Sequence, residues 1–220
     1  MTNDRAVIFD MDGIIFDSER LVLECWEALA VKYQLEGMRE AYYPCIGTNE
    51  AKTREIMEAY YGETFPYETF RQESSVLFHE RIKRESLPVK KGVRELLEYL
   101  KEQNIPVGLA SSTRLSVVTQ ELQQAGLYEY FCAVTGGDQL KHSKPEPDIY
   151  LMACEKMGVR PEETYAVEDS YNGIRSSYLA GMMPIMVPDL LAPTEEMKAK
   201  SVIILEDLVK VREWLISQWK

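Results

Sequence analysis

With 220 residues, 45% of them hydrophobic, the chain is long enough to bury a substantial core, as one large domain or as a core carrying a smaller inserted unit. Its net charge of −11 argues against non-specific nucleic-acid binding, which depends on Lys and Arg neutralising phosphates. Two distant histidines and four cysteines without a C-x-x-C pair argue against a zinc site, and no apolar run approaches the roughly 20 residues of a membrane span.

In chain order, Ala6-Val7-Ile8-Phe9 comes first, a short apolar run that ends abruptly at Asp10. Such a run fits a strand buried on both faces, as in a parallel sheet. No signal peptide is visible around it, and the cysteines read as small buried side chains of a cytoplasmic protein. From Asp17 to about Pro88 no strand pattern occurs. Leu21, Cys25, Trp26, Leu29 and Tyr33 follow a helical period, Ile56, Met57 and Tyr60 a second, and Val76, Phe78, His79 and Ile82 a third, less regular one.

Beyond this stretch strands and helices alternate. Ile105–Ala110, Phe131–Val134, Thr164–Val167, Pro184–Val187 and Val202–Leu205 read as strands. Between them lie the helical sets Val93, Leu96, Leu97, Leu100; Val118, Leu122, Ala125; Ile149, Met152, Cys154, Met157; and Ile174, Ser177, Tyr178. Gly126, Gly158 and Gly181 act as stop signals. The pattern predicts an α/β protein: a doubly wound, Rossmann-like parallel sheet from residues 1–16 and 89–220, with an inserted α-helical domain over residues 17–88.

In such a sheet ligands bind at the carboxyl ends of strands. The polar residues expected there are Asp10 and Asp12, then Ser111, Ser112 and Thr113, then a loop reaching Lys144-Pro145, then Glu168 and Asp169. Carboxylates held close together repel unless a cation sits among them, and a hard oxygen donor set suits magnesium. Hydroxyls, a lysine and helix N-termini can hold an anion beside that cation. An acidic protein can thereby accept an anionic substrate by offsetting its charge locally.

Four ordered motifs carry a resemblance to the haloacid dehalogenase-like hydrolase superfamily: Asp10-x-Asp12-Gly13, Ser111, Lys144-Pro145-x-Pro147-Asp148 and Glu168-Asp169-Ser170. The match spans nearly the whole chain, and the insert is similar to that superfamily's type-one cap. The resemblance implies that Asp10 is the nucleophile and Asp12 the general acid and base. It implies that Mg2+ is held by Asp10, the Asp12 carbonyl and Asp169, with Glu168 at or just outside the ligand set. Ser111, Lys144 and amides near Ser112 would bind the phosphoryl group. The cap would choose the substrate, with Thr48 and Asn49 as candidate contacts.

The chain looks most like the β-phosphoglucomutase-like branch. Mutases of that branch carry a histidine early in the cap and an arginine after its glycine motif. Here Glu19-Arg20-Leu21-Val22 and Gly47-Thr48-Asn49-Glu50 offer neither. The resemblance therefore implies a phosphatase acting as a monomer on a small phosphorylated metabolite, such as a sugar phosphate. A phosphomutase and a non-catalytic phosphate sensor are the alternatives.

Other residues have plainer readings. Asp17 or Ser18 would cap the following helix, and Thr113 is a candidate cap for the helix after it. Gly136-Gly137-Asp138 reads as a turn. Cys154 and Arg160 match the C-x5-R spacing of cysteine-dependent phosphatases, but on a helical pattern without a glycine-rich loop.

Overall fold

The computed structural model describes residues 5–48 and 50–219. A six-stranded sheet forms in the order β3-β2-β1-β4-β5-β6 from β1 (Ala6–Phe9), β2 (Val107–Ser111), β3 (Ala133–Gly136), β4 (Thr164–Glu168), β5 (Met183–Met186) and β6 (Ile203–Ile204). Every neighbouring pair is parallel. All four residues of β1 are buried, and β1 pairs on both sides, Phe9 opposite Leu109 and opposite Val167. A strand covered on both faces and both edges has no use for polar side chains, so its sequence is an unbroken apolar run.

The helices are α1 (Ser18–Tyr33), α2 (Met38–Tyr42), α3 (Glu50–Tyr61), α4 (Tyr67–Glu85), α5 (Val93–Glu102), α6 (Leu115–Gln124), α7 (Asp148–Met157), α8 (Tyr171–Leu179), α9 (Glu195–Lys200) and α10 (Leu208–Gln218). On α5, Val93, Leu96, Leu97 and Leu100 are buried. Each such side chain contributes about 1.5–3 kcal/mol relative to exposure. On α7, Ile149, Tyr150, Ala153 and Cys154 pack with Ile8, Ala110 and Ala166 of the sheet.

Two expectations are corrected and one element is added. The third strand starts at Ala133, later than the apolar run beginning at Phe131. Phe131 is buried at the end of a short 3-10 turn, Tyr128–Tyr130, so its apolar character reports burial before the ladder begins. The last helix, α10, has no counterpart among the helical patterns of the sequence. It buries Leu208, Val211 and Leu215 and packs against α5, and the Asp207 carboxylate caps it by accepting from Lys210 N at 3.0 Å. Among the cysteines, Cys132 is exposed, while Cys25, Cys45 and Cys154 are buried; all four are free thiols.

The chain divides into two compact units: the described residues of Met1–Phe16 with Val89–Lys220, and Asp17–Pro88. The helical unit has an aromatic centre. Phe70 is fully buried, with Trp26, Tyr33 and Phe65 at ring-centroid distances of 5.4, 5.6 and 5.3 Å. Edge-on and tilted contacts of this kind add to burial. The expected third helix begins at Tyr67, well before its first periodic residue, because Tyr67, Phe70 and Ser74 bury one stripe of it. At the junctions the chain's outgoing and returning segments run side by side. Phe16 bridges to Val89, Asp17 N donates to Pro88 O at 2.9 Å, and Lys90 N donates to Ile15 O at 2.9 Å. Among the described residues no helix is long and apolar enough to cross a membrane.

Candidate active site

In this strand order the chain's winding reverses between β1 and β4, and the crevice beyond their carboxyl ends is where open α/β sheets bind ligands. Asp10 follows β1, Glu168 is the last residue of β4, and Asp169 comes next. The backbone couples the two strand ends directly, since Asp10 N donates to Val167 O at 3.0 Å. Asp10, Glu168 and Asp169 are 7, 0 and 6% exposed. Each offers a carboxylate oxygen within 4.8 Å of the others.

Lys144 reaches into this group from the β3–α7 loop, its side chain only 7% exposed. Its Nζ donates to Asp10 Oδ1 at 2.5 Å and to Glu168 Oε1 at 2.6 Å. It also lies over the Tyr150 ring, 5.1 Å from the centroid. Burial pushes the Asp10 carboxyl well above the usual carboxylate range; Lys144 opposes this, while the charges of Glu168 and Asp12 reinforce it. Burial would lower the Lys144 ammonium, but Asp10 and Glu168 outweigh it and raise its pKa.

Glu168 is held on every side. Its Oε1 accepts from Lys144 and from the buried Tyr150 hydroxyl at 2.7 Å. Its Oε2 accepts from Asp169 N at 3.2 Å, Ser170 N at 3.3 Å and Ser170 Oγ at 3.1 Å. The carboxylate thus sits at the N-terminus of α8, where backbone N–H groups and the helix dipole favour a negative charge. Ser170 caps the same helix, accepting from Gly173 N at 3.0 Å. Tyr150 is a member of this network that the sequence reading missed. Its only signal was a helical apolar position, which does not reveal where the hydroxyl points.

Gly13 explains the glycine of the first motif. Its φ is +77°, in the left-handed region, and a Cβ there would come within 2.2 Å of Asp169 Oδ2. Only glycine permits both the turn and the approach of that carboxylate. Three carboxylates against one ammonium leave two negative charges in excess in a buried space. A hard divalent cation fits this donor set, because it offsets the excess and accepts the oxygens present.

The serine loop lies at the end of β2. Ser111 is the final strand residue and fully buried, and its Oγ accepts from Thr113 N at 3.1 Å; Ser112 is exposed. Thr113 does not cap α6. Its Oγ1 donates to Asp12 Oδ2 at 3.3 Å, and the capping role passes to Asp138, whose Oδ1 accepts from Leu115 N at 2.8 Å. The Gly136-Gly137-Asp138 segment, expected to be a simple turn, therefore braces this loop. Glu121 on α6 also senses Asp12: burial first, then the Asp12 charge, push its pKa up to about 7.

The remaining expectations fall elsewhere. Thr48 belongs to the helical unit, where its Oγ1 donates to Cys45 O at 2.7 Å and lies 2.9 Å from Thr53 Oγ1. Asn49 lies outside the described residues. Asp17 occupies the cap position of α1 but makes no side-chain bond to the helix amides; its carboxylate pairs with Arg20. Cys154 is buried on α7, and burial pushes its thiol up to about 11, which is no environment for a thiolate nucleophile.

The chain matches the haloacid dehalogenase-like hydrolase family over residues 7–187. It belongs to that family. A haloacid dehalogenase-like relative from Thermotoga maritima, described as a phosphorylated carbohydrates phosphatase, is 34% identical over 181 residues, covering 81% of this chain and 82% of its own length. Hexitol phosphatase B of Escherichia coli is 33% identical over 199 residues, 83% of each protein. Among solved structures, a candidate beta-phosphoglucomutase from Thermotoga maritima superposes with a TM-score of 0.78 at 29% identity, covering 97% of this chain and 99% of that one. Within the haloacid dehalogenase-like hydrolases the chain lies in the β-phosphoglucomutase-like branch, the branch its sequence resembles.

Proposed function

We propose that this hydrolase is a magnesium-dependent phosphatase that releases inorganic phosphate from a small sugar phosphate through an aspartyl-phosphate on Asp10. The observation that carries the reading is the buried Asp10–Lys144–Glu168 group beside Asp169 at the switch point of the sheet. Relatives named for phosphorylated carbohydrates and hexitol phosphates support the substrate class.

In the first step an Asp10 carboxylate oxygen forms a bond to phosphorus as the bond from phosphorus to the ester oxygen breaks. The Asp12 carboxyl gives its proton to that leaving oxygen. In the second step Asp12, now a carboxylate, takes a proton from water as the water oxygen bonds to phosphorus. The bond from phosphorus to Asp10 breaks, restoring the Asp10 carboxylate and releasing phosphate. Lys144 and the Ser111 hydroxyl hold the phosphoryl oxygens, with Ser112 contributing its backbone amide. Asp10, Asp169 and the Asp12 carbonyl would hold magnesium, which supplies neutralisation of phosphate charge and polarisation of phosphorus when bound. Both Glu168 oxygens already accept protein hydrogen bonds, so its role is to fix Lys144 and the start of α8. All these groups come from one chain, so a monomer suffices. The free thiols suit a reducing, cytoplasmic setting.

Hydrolysis is favoured over mutase chemistry because Glu19-Arg20-Leu21-Val22 contains no histidine and Gly47-Thr48-Asn49-Glu50 no arginine. The test is a panel of sugar phosphates with MgCl2, read as phosphate release. Asp10→Asn should lower turnover at least ~1,000-fold, as loss of a covalent nucleophile does. β-Glucose 1-phosphate with a bisphosphate primer is the decisive arm. Glucose 6-phosphate in place of free phosphate would establish the mutase, and silence across the panel would favour a phosphate sensor.

A further inference from the structure

The geometry points to Thr113 as the residue that orients Asp12 for proton transfer; this rests on the reading of Asp12 as general acid and base. Thr113 Oγ1 donates to Asp12 Oδ2 at 3.3 Å, from a different strand end and 101 positions along the chain. The threonine is itself held from both sides of its backbone. Its N donates to Ser111 Oγ at 3.1 Å, and its carbonyl accepts from Gly137 N at 2.9 Å.

The brace behind it is tight. A Cβ on Gly136 would lie 2.4 Å from Leu115 N, and one on Gly137 would lie 2.2 Å from Ser112 O. These are backbone atoms, which cannot swing aside as a side-chain end can. Asp138 fixes the next residue through Leu115 N at 2.8 Å. Thr113 is β-branched and so has few χ1 choices. With its backbone pinned, few placements of the hydroxyl remain, and the one adopted meets the Asp12 carboxylate.

A donor on Oδ2 has a chemical consequence. The carbonyl-type oxygen of a protonated carboxyl group is its better acceptor, so donation from Thr113 to Oδ2 favours the Asp12 proton on Oδ1. When the ester bond breaks, that proton moves from Oδ1 to the leaving oxygen. Thr113 keeps its own proton throughout and turns Asp12 so that one oxygen serves the reaction. It is a positioning residue, acting through Asp12.

Leaving-group dependence separates this role from a phosphate contact or a structural one. A sugar alkoxide needs protonation to leave; p-nitrophenolate does not. kcat/KM is therefore measured for p-nitrophenyl phosphate and for the sugar phosphate of the panel that is turned over fastest, because it reports on the first phosphoryl transfer. Thr113→Val should lower the sugar-phosphate value about 10-fold, a part of the 100- to 10,000-fold that general acid catalysis supplies, and change the p-nitrophenyl value by less than about twofold. Thr113→Ser, which keeps the hydroxyl, should restore the sugar-phosphate activity. Thr113→Ala removes the hydroxyl without new bulk and should behave as the valine variant does, so misfolding of one variant leaves the other. An equal fall on both esters, or no fall on either, overturns the inference while leaving the phosphatase reading intact. A wild-type protein silent on every ester overturns both.

Discussion

Gly173 lies in the first turn of α8, and a Cβ built there would fall 1.9 Å from the Glu168 carboxylate carbon. A flexible side-chain end would normally move away, but this one is held by Lys144, Tyr150, Ser170 and the Asp169 amide. Two effects of opposite sign therefore compete in Gly173→Ala. Helix propensity alone favours alanine by about 1 kcal/mol, whereas overpacking a held core group costs about 1–3 kcal/mol. The contact wins, and the variant should be destabilised by about 1 kcal/mol in urea denaturation, with kcat reduced as Glu168 and Lys144 shift. In a Glu168→Ala background the same substitution should become neutral or stabilising, which a double-mutant cycle reads directly. The convergence of Asp10, Glu168 and Asp169 was legible because they follow apolar runs at strand ends, and that of Lys144 because its motif singles it out within a loop. Gly173, Tyr150 and Glu121 were not, because what matters about them is which distant carboxylate they meet.

The segment from Ser111 to Leu115 shows the same limit for a whole element. Its sequence contains three consecutive hydroxyl residues, and order along the chain alone suggested Ser111 for phosphate and Thr113 for a cap. The real cap is Asp138, 23 positions later, and local pattern carries no trace of that pairing. Replacing a capping carboxylate by alanine costs about 0.5–2 kcal/mol. Asp138→Ala should lose stability in that range and lower kcat/KM on alkyl and aryl phosphates alike, since it loosens Ser111 and Thr113 together. Asp138→Asn, which keeps an accepting oxygen, should recover much of both. Strands were easier to read than this loop, because burial on both faces writes itself as a run of apolar residues. The helix α10 is hard to read for the converse reason: its buried stripe of Leu208, Val211 and Leu215 is short and interleaved with Trp214 and charged residues.

For the molecule as a whole, an excess of 11 negative charges surrounds a site that itself holds more carboxylates than ammoniums. Binding of a divalent cation to the folded state alone stabilises it by mass action, about 2.7 kcal/mol at a concentration 100-fold above Kd. For a chain of this size that corresponds to a rise in Tm of about 5–10 °C. Saturating MgCl2 should produce such a rise over EDTA at matched ionic strength, and Asp169→Asn should remove most of it. A rise of equal size with NaCl would mean general screening of the acidic surface. The division of the chain into a sheet unit and a helical unit was visible in the sequence as a long interval without strand patterns. The aromatic centre around Phe70 was less so, because its members are scattered over α1, α4 and the residues before α4.

The side-by-side junctions at Phe16–Val89 and Asp17–Pro88 make the helical insert a closed excursion from the sheet. The chain leaves and re-enters at one spot, already stitched by backbone hydrogen bonds, so the length of what lies between does not enter the pairing of β1 with β2. Doubling such an excursion would cost only about 0.6 kcal/mol in closure entropy. Descent can therefore exchange, enlarge or trim this unit as a cassette while the carboxylates at the ends of β1 and β4 keep their register to each other.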